Sequence, residues 1–302
     1  MRRRVRPGEL YLVGVSAFSN VDAMRRLIGV LIRVHSPGRI LGGIVEGGLM
    51  ANVLVTGASR GIGRAIAVAL AGRGDRVAVH YGSDRAAAEQ TLGLLAGTGH
   101  TVVGGDLSRP EGAETVVTAA AQALGGIDVL VNNAALAPSA RHHHPIATVS
   151  YEDWQRSWRE MVDVGLIAAA NVTYLVARQI IAGGSAGVIV NIGSRGAFRG
   201  EPEFPAYGAA KAALHALGQS MAVALAPHDI AVASVAPGFV SSERQAEKLA
   251  GPTGDSVRSE SPFGRVGTPE EVAHAVLYLT SPGAAWASGA ILDLNGASHL
   301  RT

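Results

Sequence analysis

Val53-Leu54-Val55-Thr56-Gly57-Ala58-Ser59-Arg60-Gly61-Ile62-Gly63 runs from a short β-branched stretch through three glycines, spaced G-x-x-x-G-x-G, into a segment rich in Ala, Leu and Arg. This pattern predicts a strand, a tight turn and the opening turn of a helix. Glycines let the backbone bend sharply and approach a ligand closely, and a helix N-terminus offers unpaired N–H groups and partial positive charge. A strand–glycine turn–helix unit at the start of a β/α series is therefore a seat for the phosphates of a nucleotide. A glycine trio alone is weak evidence, because any strand-to-helix turn can use glycine; the context supplies the weight.

Working outward, β-branched runs recur at Val53–Thr56, Arg76–Tyr81, Thr101–Gly104, Ile127–Val131, Val188–Ile192, Ile230–Val235 and Ala290–Leu294. Longer segments of helical composition separate them: Gly61–Gly72, Ala86–Gly97, Glu111–Leu124, Tyr151–Ala182, Ala206–Ala226 and Pro269–Leu279. Continuous apolar strands alternating with helices imply a parallel sheet buried on both faces. The expectation is an α/β fold: one doubly wound domain over residues 50–302, with a seven-stranded parallel sheet and ligands at the carboxyl ends of the strands. Residues 241–262 are polar and punctuated by Gly, Pro and Ser, which predicts a long loop, either a lid or poorly ordered.

Composition narrows the function classes. The chain has 302 residues, 48% apolar and only 17% charged, which excludes a disordered chain. It has no cysteine, so disulfides, thiolate metal sites and thiol nucleophiles are excluded; the cytoplasm is the natural compartment. The net charge of +2 hides an asymmetry. Residues 1–50 carry eight arginines against three acidic residues, whereas the remaining 252 carry 18 basic against 21 acidic groups. No broad basic surface for nucleic acid is expected beyond the first fifty residues. No apolar run approaches the ~18 residues that span a bilayer. Residues 1–49 are an N-terminal extension of two readings. Met24–Val34 has the pattern of a short basic amphipathic helix; alternatively Met50, directly ahead of the first strand, is the initiator and the extension is a mis-assigned start or disordered.

Six motifs in order carry a resemblance: Thr56–Gly63, Asp106-Leu107, Asn132-Asn133-Ala134, Ser194 thirteen residues before Tyr207, Tyr207-Gly208-Ala209-Ala210-Lys211, and Pro237-Gly238. Together they resemble the classical short-chain dehydrogenase/reductase family, in particular its 3-oxoacyl-carrier-protein reductases; sugar, steroid and other alcohol dehydrogenases share the pattern. The resemblance covers residues 52–300. It implies a Rossmann-type fold, a homotetramer, and an NAD(P) site in which Gly57, Ser59, Arg60, Ile62 and Gly63 follow the phosphates and ribose. Asp106 then accepts a hydrogen bond from the adenine amino group beside Leu107, Asn133 and Ala134 border the ribose, and Val240 and Ser242 meet the nicotinamide. Asn132 is expected to brace the central strand. The plain alternative for Asp106 is a helix cap or turn residue.

An NAD site usually places a carboxylate at the end of the second strand. Here that place falls near Tyr81. Arg60 in the glycine turn, with Ser83 and Arg85 just past the strand, favours the 2′-phosphate of NADP; Asp84 is the opposing residue and leaves NAD open. For the chemistry, Tyr207 and Lys211 are one helical turn apart. A free phenol has a pKa of ~10 and is a poor base; a neighbouring ammonium favours phenolate and makes Tyr207 an acid/base. Ser194 is expected to bind the oxygen of a carbonyl or secondary alcohol, possible substrates including a 3-oxoacyl thioester held on an acyl carrier. The rival reading is a cofactor-binding protein with little turnover, a sensor or partner subunit. Its support is Gly165, which stands where relatives carry an Asn that anchors a proton-relay water. Either a water fills the gap, or the helix is shifted, or activity is reduced. His142-His143-His144 invites a metal reading, but adjacent histidines do not converge on one ion, so no metal is expected and the loop is placed near the substrate entrance. Trp154 and Trp158 form a packing stripe. Asn295-Gly296-Ala297 replaces the Asp-Gly-Gly common in relatives, which alters a turn or a subunit contact.

Overall fold

The computed structural model describes residues 50–301; the expectations placed on residues 1–49 lie outside them. Strands and helices alternate: β1 (Asn52–Val55), α1 (Gly61–Arg73), β2 (Arg76–Tyr81), α2 (Arg85–Leu92), β3 (Thr101–Gly104), α3 (Pro110–Leu124) and β4 (Val129–Asn132). Then come α4 (Tyr151–Val162), a π-helical turn (Asp163–Ile167), α5 (Ala168–Gly183), β5 (Gly187–Ile192), α6 (Gly196–Arg199), α7 (Pro205–Leu225) and β6 (Ile230–Pro237). Three further helices, α8 (Ala246–Ala250), α9 (Gly254–Ser259) and α10 (Pro269–Leu279), precede the last strand, β7 (Ile291–Leu294).

The seven strands pair in the order β3-β2-β1-β4-β5-β6-β7, and every pairing is parallel. Successive side chains leave a strand on opposite faces, and each face is apolar. Val53, Val55, Val77 and Val79 pack on one side with Ile66 and Leu70 of α1 and Val272 and Val276 of α10. Leu54, Ala78 and Leu130 pack on the other with Val116 of α3, Val172 and Val176 of α5, and Leu225 of α7. This is the expected doubly wound fold. Strand order reverses between β1 and β4, and the crevice there, at the carboxyl ends of the strands, is where such sheets take ligands.

Two expectations are corrected. Residues 241–262 are not a structureless loop: a 3₁₀ turn (Glu243–Gln245), α8 and α9 fill most of them. Their polar residues make tertiary bonds; the Arg258 guanidinium donates to the Leu249 carbonyl at 2.8 Å, and the Ser261 hydroxyl to the Gly296 carbonyl at 2.7 Å. The second helix also stops at Leu92 rather than Gly97, where Gly93 caps it. Helix Tyr151–Gly183 runs unbroken for 33 residues and is long and apolar enough by composition to match a membrane span. Its apolar stripe, with Val172, Val176 and Ile180, is instead part of the sheet's covering.

Candidate active site

The glycine turn is held chiefly through its backbone. Thr56 ends the first strand, and its hydroxyl donates to the Val131 carbonyl while accepting from the N–H groups of Asn133 and Ala134 at 2.9 and 3.0 Å. The Asn133 amide donates to the carbonyls of Thr56 and Gly57, both at 2.9 Å. Gly57 has φ +63°, and a Cβ there would lie 2.9 Å from the Ala134 Cα. At Gly63 a Cβ would lie 2.3 Å from the Gly57 carbonyl oxygen, so only glycine fits. No side chain caps the N-terminus of α1. Its free N–H groups open onto a cleft of about 770 Å³ that extends to Tyr207. An uncapped helix start behind a turn that excludes any Cβ fits a dinucleotide pyrophosphate.

Gly57, Ser59, Arg60, Ile62 and Gly63 line this cleft, as do Ser83, Asp106, Leu107, Asn133, Ala134, Val240 and Ser242. Arg85 does not: it opens α2 and its guanidinium pairs with Glu89 one turn on, at 2.8 Å. A local (i, i+4) pair turns it along its own helix. Asp84 N-caps α2, accepting from the Ala87 N–H at 3.0 Å, and its second oxygen takes the Arg60 guanidinium at 2.7 Å. Asp106 serves as the turn residue: one carboxylate oxygen accepts from the hydroxyl and the N–H of Ser108, which holds its pKa below the usual carboxylate range. Asn132 braces the strands, its amide donating to Thr173 and Asn191, both at 2.9 Å.

At the other end of the cleft, Ser194 follows β5, while Tyr207 and Lys211 share α7. Ser194 Oγ accepts the Gly196 N–H at 3.0 Å and keeps its own proton to donate. Burial raises the Tyr207 pKa, the nearby Ser194 hydroxyl opposes the rise, and the charge of Glu201 adds to it. Lys211 is 4% exposed, and its ammonium donates to the Ile192 carbonyl at 2.8 Å. Burial lowers its pKa to about 8. The Lys211 nitrogen lies 6.0 Å from the Tyr207 ring centre and is directed at the Ile192 carbonyl; desolvation is the largest influence on the phenol.

Three contributors to the cleft wall were not anticipated. His80 joins the turn to the end of β3: its Nδ1 accepts the Gly57 N–H and its Nε2–H donates to the Gly105 carbonyl, both at 3.0 Å. A polar residue inside the apolar run of β2 was the available signal. Arg195, 4% exposed, pairs with Glu260 and Ser298 and lies 5.1 Å over the Phe239 ring. Glu201 enters the wall beside Tyr207. Nothing local marked either one.

Gly165 lies in the π-turn, where the Ala168 N–H reaches back to the Asp163 carbonyl. A Cβ on it would meet the Ala210 Cβ at 3.4 Å, beside Lys211. The helix is thus distorted at this point and packs closely on α7. The three histidines each bond a different partner: His142 to Glu160 at 2.8 Å, His143 to Glu203 at 2.5 Å, and His144 to Ala206 at 3.0 Å. Among the described residues no group of three His, Cys, Asp or Glu is placed to hold a metal ion. The Trp154 and Trp158 rings pack 5.6 Å apart.

Comparison with known proteins agrees with this geometry. A family model described as Enoyl-(Acyl carrier protein) reductase matches residues 57–299. L-rhamnose 1-dehydrogenase (NAD(P)(+)) of Sphingomonas sp. strain SKA58 is 32% identical over 251 residues, covering 82% of this chain and 96% of the relative. The 3-oxoacyl-[acyl-carrier-protein] reductase of Vibrio cholerae is 32% identical, covering 82% and 96%. The crystal structure of 3-ketoacyl-(acyl-carrier-protein) reductase from Brucella melitensis complexed with NADH superposes with TM-score 0.73 at 28% identity, covering 82% of this chain and 98% of that one. Glycine turn, parallel sheet and matched length lead to one assignment: the chain belongs to the short-chain dehydrogenase/reductase family and is an NAD(P)-dependent oxidoreductase acting on CH–OH donors.

Proposed function

We propose that the protein interconverts a carbonyl compound and a secondary alcohol with a preference for NADP, using Tyr207 as acid/base, Ser194 to orient the substrate oxygen and Lys211 to hold the nicotinamide ribose. The observation that carries this reading is the convergence of Ser194, Tyr207 and Lys211 at one end of the cleft whose other end is the glycine turn. A bound nicotinamide supplies or accepts the hydride. Ser194 donates to the substrate oxygen, where charge develops during reduction. Tyr207, kept protonated by burial, delivers a proton to that oxygen; in the reverse direction it accepts one. Lys211 binds ribose hydroxyls through the N–H groups its single carbonyl partner leaves over.

NADP preference rests on Arg60. Its guanidinium stands at the cleft mouth, aligned by Asp84, and an arginine fork suits a phosphate. Arg60→Ala should raise the Michaelis constant for NADPH far more than that for NADH; equal effects would refute the preference. Asp84→Asn, which frees Arg60 and removes an opposing charge, should sharpen it. The names of the relatives direct the substrate search towards sugars and acyl-thioester β-ketones on a carrier. A carbonyl panel with NADPH tests both, and NADPH binding without turnover on any member would favour a cofactor-binding sensor or partner subunit. A cytoplasmic homotetramer completes the reading; light scattering of the purified chain checks the assembly.

A further inference from the structure

The first turn of α7, which carries Tyr207, is short of partners of its own. Its N-cap, Phe204, has no side-chain acceptor, and Pro205 at the first helical position has no N–H. The Tyr207 N–H closes onto the Phe204 carbonyl at 3.0 Å. That leaves the N–H of Ala206, a residue with 0% exposure and thus no access to water. Its acceptor is Nε2 of His144, 62 residues earlier in the chain, at 3.0 Å. The other ring nitrogen, Nδ1, lies 2.5 Å from the His142 carbonyl. A carbonyl can only accept, so Nδ1 carries the proton and Nε2 presents its lone pair to Ala206. The ring is fully buried and set edge-on to Trp154 at 5.7 Å and to Phe204 at 6.4 Å. The backbone is tied as well, the His144 N–H donating to the Glu203 carbonyl at 3.1 Å.

We propose that His144 is a positioning residue for the reaction: it caps the catalytic helix from outside and sets where Tyr207 stands relative to Ser194. The segment it anchors includes Ser139 and Ala140, which line the cleft, so the wall facing the substrate and the acid/base are located by the same ring. His142 and His143 hold the two flanks, on Glu160 of α4 and on Glu203 ahead of α7. The proposal rests on the reading of Tyr207 as acid/base. Losing the acceptor strands a buried donor one residue from that phenol, and small displacements of a reacting group cost rate rather than binding.

The test compares the full-length chain with His144→Phe, which keeps a ring and loses the acceptor, and His144→Gln, whose amide oxygen reaches the position of Nε2. In His144→Phe, kcat should fall ~10–100-fold, while the carbonyl KM and NADPH Kd stay within ~3-fold. Amide exchange at Ala206 should quicken ~10-fold or more. In His144→Gln both should return to within ~5-fold of the parent. Parental kcat and parental exchange in His144→Phe, losses spread equally over kcat, KM and Kd, or a Gln variant no better than Phe would each overturn the proposal; if His144→Phe does not fold, the Gln variant decides. Tyr207→Phe is run alongside. Should it keep parental turnover, the reading of Tyr207 fails, and the exchange rates still judge the His144–Ala206 bond on their own.

Discussion

The two ends of the cleft are built differently. At the glycine turn it is the turn's own backbone that is gripped: Gly57 gives its N–H to the His80 ring and its carbonyl to the Asn133 amide, and a Cβ at Gly63 has no space. At the Tyr207 end side chains also hold one another, Arg195 with Glu260, and a side chain supports the start of the catalytic helix, His144 at Ala206. The first end is suited to a ligand whose phosphates do not vary. The second can be altered one side chain at a time.

Substitutions at the two ends should fail in different ways. The largest effect is expected at Gly63→Ala, where the added carbon meets backbone at 2.3 Å; NADPH affinity should drop ~1000-fold or more in a titration, because turn and helix entry must both rearrange. Next is His215, 2% exposed beneath Ser194. Burial lowers its pKa to about 4, whereas an unfolded histidine titrates near ~6.5. Between those values the unfolded chain binds the extra proton, so stability falls as pH drops from 6.5 to 4. His215→Leu should flatten that limb of the unfolding free energy against pH by on the order of 2–3 kcal/mol. A smaller effect distinguishes the substrate end: Glu201→Gln removes a charge that raises the Tyr207 pKa, so the pH profile of alcohol oxidation should move to lower pH, with NADPH affinity unchanged. The smallest lies at Ala297, which has φ +57°, a conformation costly for any residue with a Cβ. Ala297→Gly should stabilise the fold by up to about 1 kcal/mol in a urea titration.

The same contrast explains what could be read from the amino acids. The succession of strands and helices and the glycine turn depend on apolar periodicity and on spacings of a few residues, and Gly57, Gly61 and Gly63 stand where that reading put them. Ser194, Tyr207 and Lys211 share one cleft as expected, because the latter two lie one turn apart on α7 and the first ends a strand beside it. For Arg85, proximity to the strand end says nothing of direction, and its guanidinium pairs with Glu89 one turn on. A spacing of four also does not reveal that the Ile192 carbonyl takes a hydrogen bond from the lysine. Residues 241–262 looked like loop since their polar side chains find partners, such as Arg195 and Gly296, that are remote in sequence. The histidine run reads as loop near the substrate entrance, and its partners, Glu160, Glu203 and Ala206, are too remote in sequence to be legible there.

The most direct test of the account is a single-turnover measurement on Tyr207→Phe with bound NADPH and the best carbonyl from the panel, alongside NADPH titration. The account predicts NADPH affinity within ~3-fold of the parent and hydride transfer slowed by ~100-fold or more, the loss expected when a positioned proton donor is removed. Transfer at the parental rate with affinity intact would contradict it.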